Sequence, residues 1–196
     1  VAVTRPVFGG NALGIYDFNG DGTQVATIRP GVFDAVEGDG SGTIEDFDVS
    51  NAVSGVRAVL VETIVQESEG VRLEDADVII SGGRGLGGPA PFEQLQELAD
   101  LLGGAVGASR AACDAGWVDH SYQIGLTGKS VKPTVYLSVG ISGASQHMAG
   151  LSGARNIVAI NKDDNANIFK SARFGVIGDW EKVLPAFTAT VRDLAG

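Results

Sequence analysis

The sequence ADVIISGGRGLGG at residues 76–88 joins a short apolar run to a glycine-rich loop. Residues 83–88 satisfy the pattern G-x-G-x-x-G, and leucines with helical spacing follow at Phe92–Leu102. A strand, a glycine loop and a helix in this order form the first unit of many α/β domains, in which the loop approaches a phosphate or a ring. We predict such a unit here, with a glycine-rich turn that binds nothing as the alternative.

Short apolar runs continue to alternate with helical stretches after residue 75. They lack in-and-out alternation, as expected when both faces of a parallel sheet are covered. A long helix is predicted at Trp180–Leu194, with Pro185 in the first turn of its regular part. The pattern predicts a doubly wound, mostly parallel, Rossmann-like α/β/α domain over residues 76–196. The predicted strands are Ala76–Ile80, Ala105–Ala108, Val135–Val139, Ile157–Ile160 and Gly175–Ile177.

Residues 1–66 have a different pattern, typical of strands and turns. The dipeptide Asn19-Gly20 separates two alternating runs, Leu13–Phe18 and Gln24–Arg29, and therefore predicts a β-hairpin. The alternation in Val56–Val65 predicts another strand. We expect a small β-rich segment before the α/β domain.

Composition and charge argue against several classes of function. The chain has 196 residues, a net charge of -10 and a pI near 4.5. Such a surface repels phosphate backbones and anionic lipids, so we expect no nucleic-acid partner. No apolar run approaches the roughly 20 residues that span a bilayer, so we also expect no membrane insertion. The single cysteine, Cys113, excludes an internal disulfide, and without a Cys/His cluster we expect no metal. One cysteine also indicates a reducing compartment, from which we predict a cytoplasmic location.

The segment Gly140–His147, GISGASQH, follows a predicted strand and opens a helix. Small residues at a helix start expose backbone N–H groups and the positive end of the helix dipole, which favours an anion. Ser142 could add a hydroxyl donor to a pyrophosphate, and His147 could donate to a ring carbonyl. A packing or capping histidine is the alternative for His147.

The segment Tyr122–Lys129, YQIGLTGK, contains two glycines and Thr127, whose hydroxyl could face a ligand. Its Gly-Lys pair does not complete a P-loop, because Gln123 stands where the first glycine of that motif is required. The segment also precedes a strand rather than a helix. The sequence therefore gives no support for ATP hydrolysis.

Polar residues also follow the other predicted strands. Asn161 and Asp179 lie at carboxyl ends of strands, where ligands of open α/β sheets bind. They suit a ribose or an adenine amine, whereas Asn161 could equally cap a turn and Asp179 could cap the last helix. Ser109-Arg110 occupies the position at which an NAD site requires an acid, so a nicotinamide site is disfavoured.

Six motifs together resemble the alpha subunit of electron transfer flavoproteins. The resemblance is dense over residues 76–196, and Thr4–Leu13 is similar to the end of that family's first domain. It implies a tail of the first domain at 1–66, a linker at 67–75 and an FAD-binding domain at 76–196. The motifs are SGGRGLGG, GASRAACDAGW, YQIGLTGKSVKP, VGISGASQHMAG, IVAINKDDNANIF and FGVIGDWEKVLP.

The resemblance implies an electron carrier with FAD as its cofactor and no substrate chemistry of its own. Members of the family pair with an electron transfer flavoprotein beta subunit. They pass electrons from flavin dehydrogenases, such as the acyl-CoA dehydrogenases of fatty acid oxidation, to a quinone reductase. We expect these partners here.

The resemblance also assigns contacts with FAD. Arg84 would lie near the pyrophosphate or ring, Ser109 would bind phosphate, and Arg110 would face the flavin ring. Thr127 would bond near the reactive ring nitrogen, and His147 would reach a ring carbonyl. The implied set is Arg84, Ser109, Arg110, Ile124, Gly125, Leu126, Thr127, Ser142, Gly143, Ala144, Ser145, Gln146, His147, Asn161, Asp179 and Trp180.

Two other classes of function remain open at this point. One is a nicotinamide-binding oxidoreductase domain on a similar fold. The other is a non-redox interaction module that has lost its cofactor, for which Leu126 is an argument because the family commonly has glutamine there. Flavin absorbance that is released by denaturation would separate an FAD carrier from both.

Overall fold

The chain divides into two compact units, Val1–Phe33 together with Gly70–Gly196, and Asp34–Glu69. In the second unit a short helix, α1 (Ser50–Val53), is the regular element among the described residues. The strand predicted at Val56–Val65 is wrong over residues 56–63, which form no strand, and residues 64–65 lie outside the described part. This computed structural model describes residues 2–28, 32–33, 36–38, 40–63 and 70–195.

The first unit begins with an antiparallel hairpin of β1 (Ala2–Val7) and β2 (Ala12–Asp17). Its turn contains Gly9 and Gly10, both at positive φ, a conformation that glycine adopts without a steric cost. The prediction of a hairpin centred on Asn19-Gly20 is wrong. Strand β2 pairs with the strand before it, and residues 24–28 form no strand.

Five parallel strands form the main sheet, in the order β4-β3-β5-β6-β7. The predicted doubly wound α/β fold, with a small β-rich segment at the amino-terminal end, is confirmed. Strands β4 and β5 have the predicted bounds, and the others differ by one or two residues. The strands are β3 (Val78–Gly82), β4 (Ala105–Ala108), β5 (Val135–Val139), β6 (Asn156–Asn161) and β7 (Phe174–Ile177).

Side chains on the two faces of the sheet form two separate cores. Ile80 and Leu137 point to the face that packs on Leu95 and Leu184. Their neighbours along the strands, such as Ile79, point to the other face. This alternation makes the sheet the middle of three layers. The helices are α2 (Pro91–Leu101), α3 (Arg110–Asp114), α4 (Ser145–Ala149) and α5 (Trp180–Ala195).

The last helix begins five residues before its proline. Backbone N–H groups of Lys182 and Val183 already bond to the Asp179 carbonyl, so the first turn is complete before Pro185. The predicted place of Pro185 in the first turn is therefore wrong. Pro185 is exposed, so water can solvate the carbonyl that its missing N–H leaves without a helical partner.

The strand order creates a crevice at the carboxyl ends of the sheet. The first strand of this sheet along the chain is β3, which lies second from the edge; β4 is added on its outer side, and the chain then crosses to β5 on its other side. Loops after β3 and β5 therefore leave in opposite directions, and ligands of such sheets bind where they separate. None of the helices in the described part of the chain is long and apolar enough to cross a membrane.

Candidate functional site

A cavity of about 880 Å³ opens at the carboxyl ends of the sheet, a volume within the usual range for binding sites of small ligands. Its walls come from the loops after β3, β4, β5 and β6 and from the segment before β5. The lining residues are Arg84, Gly85, Ser109, Arg110, Ala111, Asp114, Gln123, Ile124, Gly125, Leu126, Thr127, Gly140, Ile141, Ser142, Ala144, Gln146, His147, Asn161, Lys162 and Asp163.

Most residues that the sequence suggested for the site line this one cavity. Four of them do not, namely Gly143, Ser145, Asp179 and Trp180. Several lining residues were missed, although most flank a predicted contact in the chain. Asp114 had a weak signal, since it lies four residues after Arg110 on a helix and so on the same face. The missed residues are Gly85, Ala111, Asp114, Gln123, Gly140, Ile141, Lys162 and Asp163.

Glycines 83, 85 and 140 allow the loops after β3 and β5 to touch. The N–H of Gly83 donates to Val139 at 2.9 Å, and that of Gly85 to Gly140 at 3.0 Å. A Cβ at Gly83 would overlap the Gly140 carbonyl oxygen, and Gly140 itself has φ +65°. In the described structure, Gly83 and Gly85 of the G-x-G-x-x-G motif, together with Gly140, serve close packing of two loops.

The segment 123–129 is a closed loop that forms one wall of the cavity. The Lys129 N–H donates to Gln123 at 2.8 Å, and the Leu126 N–H donates to Gln146 at 2.7 Å. A Cβ at Gly128 would overlap the Gln123 carbonyl oxygen, so the loop closes only with glycine there. The backbone of this wall is therefore fixed both within itself and to α4.

Gln123 is buried beneath that wall, with 7% of its surface exposed. Its Nε2 donates to Thr127 Oγ1 at 3.1 Å, and its Oε1 lies 3.1 Å from Nδ1 of His120. Both ends of the amide are therefore engaged, one with a side chain of the cavity wall.

Arg110 brings a positive charge to the cavity and carries its own counter-ion. Its Nε lies 3.2 Å from an Asp114 carboxylate oxygen, and both side chains are more than half exposed. The other Asp114 oxygen lies 3.9 Å from His120 Nε2. The field that Arg110 exerts on a ligand is consequently reduced by Asp114 and by water.

His147 lines the cavity but is only 7% exposed. Its Nδ1 lies 3.0 Å from the Ile124 carbonyl oxygen, which can only accept, so Nδ1 carries a hydrogen. Its Nε2 lies 2.8 Å from the Tyr136 hydroxyl and accepts from it in the neutral ring. Burial lowers the pKa of His147 to about 4 and raises the pKa of the Tyr136 phenol.

Three of the suggested residues stabilise turns, a helix end or contacts between segments near the cavity. Asn161 accepts from the Asp163 N–H at 3.0 Å and donates to Ile141 at 2.9 Å, so it caps a turn. Asp179 accepts from the Glu181 N–H at 3.1 Å and caps α5. Trp180 Nε1 donates to the Gly85 carbonyl at 3.2 Å, which joins α5 to the glycine loop.

Ser109 provides the clearest test of whether the cavity suits a ligand. Its Oγ is buried and has no hydrogen-bond partner among the described residues. Such a hydroxyl costs about 1–3 kcal/mol, which a ligand oxygen at this wall would relieve. With Arg84 and Arg110 on the same lining, the donors present fit an anionic group such as a phosphate.

The fold and cavity together define a doubly wound α/β domain that has its ligand site at the carboxyl ends of the strands. Residues 72–152 match the family profile "Electron transfer flavoprotein FAD-binding domain", which indicates flavin binding.

Relatives with similar sequences extend over nearly the whole chain. "Electron transfer flavoprotein subunit alpha" of Thermoanaerobacterium thermosaccharolyticum is 45% identical over 193 residues, 97% of this chain and 58% of the relative. The protein of the same name from Bacillus subtilis is 46% identical over 196 residues, 99% of this chain and 59% of the relative. "Protein FixB" of Clostridium saccharobutylicum is 43% identical over 192 residues, 97% of this chain and 58% of the relative.

The resemblance predicted from the sequence is confirmed by these comparisons. The chain is similar to electron transfer flavoprotein alpha subunits over nearly its whole length, and residues 72–152 match the FAD-binding domain of that family. It spans slightly less than three-fifths of the length of the relatives named here.

Proposed function

We propose that the cavity binds one FAD non-covalently and that the chain serves as an electron carrier. The observation that carries the proposal is the buried, unpartnered Ser109 hydroxyl on a cavity wall within the segment that matches an FAD-binding domain. FAD would supply the redox chemistry, and the protein would bind, orient and electrostatically tune it.

The residues divide by chemistry into two groups. Arg84, Ser109 and Ser142 offer cationic and hydroxyl groups for the pyrophosphate. Arg110 and Thr127 offer a positive charge and a hydroxyl to the flavin ring. A cation beside the ring stabilises negative charge on it and so raises the flavin potential.

The remaining suggested residues complete the proposed site. Gly143 would shape the loop before α4 and Ser145 the first turn of that helix. Asn161, Asp179 and Trp180 would support the ribose and adenine end. His147 would border the pyrimidine edge of the flavin as a neutral imidazole, since its pKa of about 4 is far below neutrality. It would not donate to a ring carbonyl as the sequence suggested, because its Nδ1 hydrogen is donated to Ile124 and its Nε2 accepts from Tyr136. The contacts of His147 with Ile124 and Tyr136 would keep the 123–129 wall in place.

The partners of the chain in electron transfer are also a proposal, which rests on the names of the similar proteins. We infer pairing with an electron transfer flavoprotein beta subunit, since the similar proteins are named as alpha subunits. Flavin dehydrogenases, including those of fatty acid oxidation, would donate electrons, and a quinone reductase would accept them. The unpaired, buried Cys113 is compatible with the cytoplasmic location that we propose.

Titration of the purified chain with FAD, followed by quenching of flavin fluorescence, tests the proposal. We expect saturable binding at one FAD per chain, whereas NAD should not compete. Absence of saturable FAD binding, both alone and with the beta subunit, would reject the function.

A serine pair gives a matched control for the site. Ser109→Ala should weaken FAD binding about fivefold or more, which corresponds to about 1 kcal/mol for a lost hydrogen bond. The same substitution at Ser152, which is exposed and outside the cavity, should leave the affinity unchanged. Equal affinities of the two variants would reject the place of Ser109 in the site.

A further inference from the structure

Gln123 is held in place through both its backbone and its side chain. Its carbonyl oxygen accepts from Lys129, and the next N–H, that of Ile124, donates to Ala108 of β4 at 2.9 Å. The side chain is buried, and the lack of a Cβ at Gly128 allows the loop to close over the Gln123 carbonyl. The amide therefore has a fixed position below the cavity wall.

The direction of the two hydrogen bonds follows from the chemistry of the groups. The Nε2 of Gln123 is a donor only, so Thr127 Oγ1 accepts from it. The Oε1 of Gln123 is an acceptor only, so His120 Nδ1 must carry a hydrogen to donate to it. With its oxygen accepting from the protein, the Thr127 hydroxyl retains its own hydrogen for a donation elsewhere.

We infer that Gln123 is a positioning residue that makes Thr127 a hydrogen-bond donor towards the ligand in the cavity. The inference rests on the proposed function for the identity of that ligand, a flavin. Thr127 lines the cavity and is exposed to it, whereas Gln123 lies behind it. A hydroxyl with a fixed donor direction favours an electron-rich ring atom, and so stabilises reduced flavin relative to oxidised flavin.

The substitution Gln123→Glu reverses this arrangement with almost no change in shape. A carboxylate accepts only, so the Thr127 hydroxyl would donate to the introduced carboxylate and turn away from the ligand. The preference of the protein for reduced over oxidised FAD should then fall about tenfold, the size expected for one charge-assisted hydrogen bond. The added negative charge would also lower this preference, and the two causes must be separated.

A double-mutant cycle with Thr127→Val separates them, because the charge is added in both backgrounds and the hydroxyl is present in only one. The measurement is the flavin midpoint potential, together with the FAD affinity, of wild type, Q123E, T127V and the double variant. We expect Q123E to lower the potential distinctly more when Thr127 is intact than when it is combined with T127V. Gln94→Glu makes the same change on the exposed face of α2 and should leave the flavin midpoint potential nearly unchanged.

Nuclear magnetic resonance of the FAD-free protein tests the same inference without the cofactor. The chain contains two histidines, so ¹⁵N shifts of neutral His120 can be assigned with a His147 variant. A hydrogen on Nδ1 of His120 supports the inference. A hydrogen on Nε2 alone means that the Gln123 amide is reversed and that Thr127 donates to it, which overturns the inference.

The two proposals fail in different ways. Loss of the proposed function is seen as absence of FAD binding by the wild-type protein, and the His120 measurement still decides the role of Gln123. If the wild-type protein binds FAD and Q123E lowers the potential equally in both backgrounds, the role of Gln123 is rejected and the FAD site stands.

Discussion

Acidification of the FAD-free protein should destabilise it through His147. Burial holds the pKa of this side chain at about 4, compared with an ordinary value of 6.5. Between these values the unfolded chain binds more protons than the folded one, so the free energy of unfolding falls as the pH is lowered. The stabilisation is complete above about pH 6.5 and is lost progressively as the pH approaches 4.

The size of the effect follows from the width of this window. A difference of about 2.5 pH units, at about 1.4 kcal/mol per unit, corresponds to about 3 kcal/mol. That is a substantial part of the stability of an ordinary domain, about 5–15 kcal/mol. Carboxylates that titrate in the same range also change the free energy of unfolding. The contribution of His147 is therefore the difference between the pH dependence of wild type and that of a variant without this ring.

Urea unfolding at a series of pH values between 4 and 7 measures this contribution. The free energy of unfolding should depend less steeply on pH in His147→Asn than in wild type, because the variant lacks the titrating ring. A direct titration of the His147 ring resonances should show no protonation at pH 6.

Parallel pH profiles of wild type and His147→Asn would refute the reasoning. So would a His147 ring that titrates with an ordinary pKa, because burial would then not keep the ring neutral in solution.

Three further predictions concern the flavin site and its loops. Arg110→Ala should lower the flavin potential, because it removes a positive charge, and Asp114→Asn should raise the potential, because it removes the counter-ion of Arg110. If spectroelectrochemical titration finds the potential unchanged in both variants, the placement of Arg110 is rejected. Gly143→Ala should lower the free energy of unfolding by more than about 1 kcal/mol in urea, since Gly143 has φ +79° and a Cβ there would overlap Ile168. A variant as stable as wild type would contradict this prediction. The chain alone should bind FAD more weakly than the chain with its beta subunit, because water competes with the ring contacts; equal affinities would show that the chain forms the whole site.

Much of the α/β fold could be predicted from local sequence. Strands such as Ala105–Ala108 and Val135–Val139 are short apolar runs that a fully covered sheet requires, and their bounds agree with the structure. The amino-terminal hairpin could not be predicted in the same way. Asn19-Gly20 is the stronger turn signal in the sequence, but the strands that pair are those on either side of Gly9-Gly10. A turn signal alone does not form a hairpin, because each strand also needs a partner strand.

The sequence predicted which loops form the candidate site, but not the hydrogen bonds that connect them. The motifs indicate which loops follow the strands, and the fold brings those loops to one edge of the sheet. Contacts between distant residues depend on tertiary packing and have no local signal. The bond from Tyr136 to His147 and that from Trp180 to Gly85 are of this kind.

Reconstitution with excess FAD, followed by gel filtration and a visible spectrum, tests the central claim most directly. The chain assembled with its beta subunit should elute with flavin absorbance at one FAD per alpha subunit, and denaturation should release this flavin intact. Ser109→Ala should retain less flavin than Ser152→Ala under the same dilution. A protein peak free of flavin after reconstitution of the assembled wild-type protein would contradict the account.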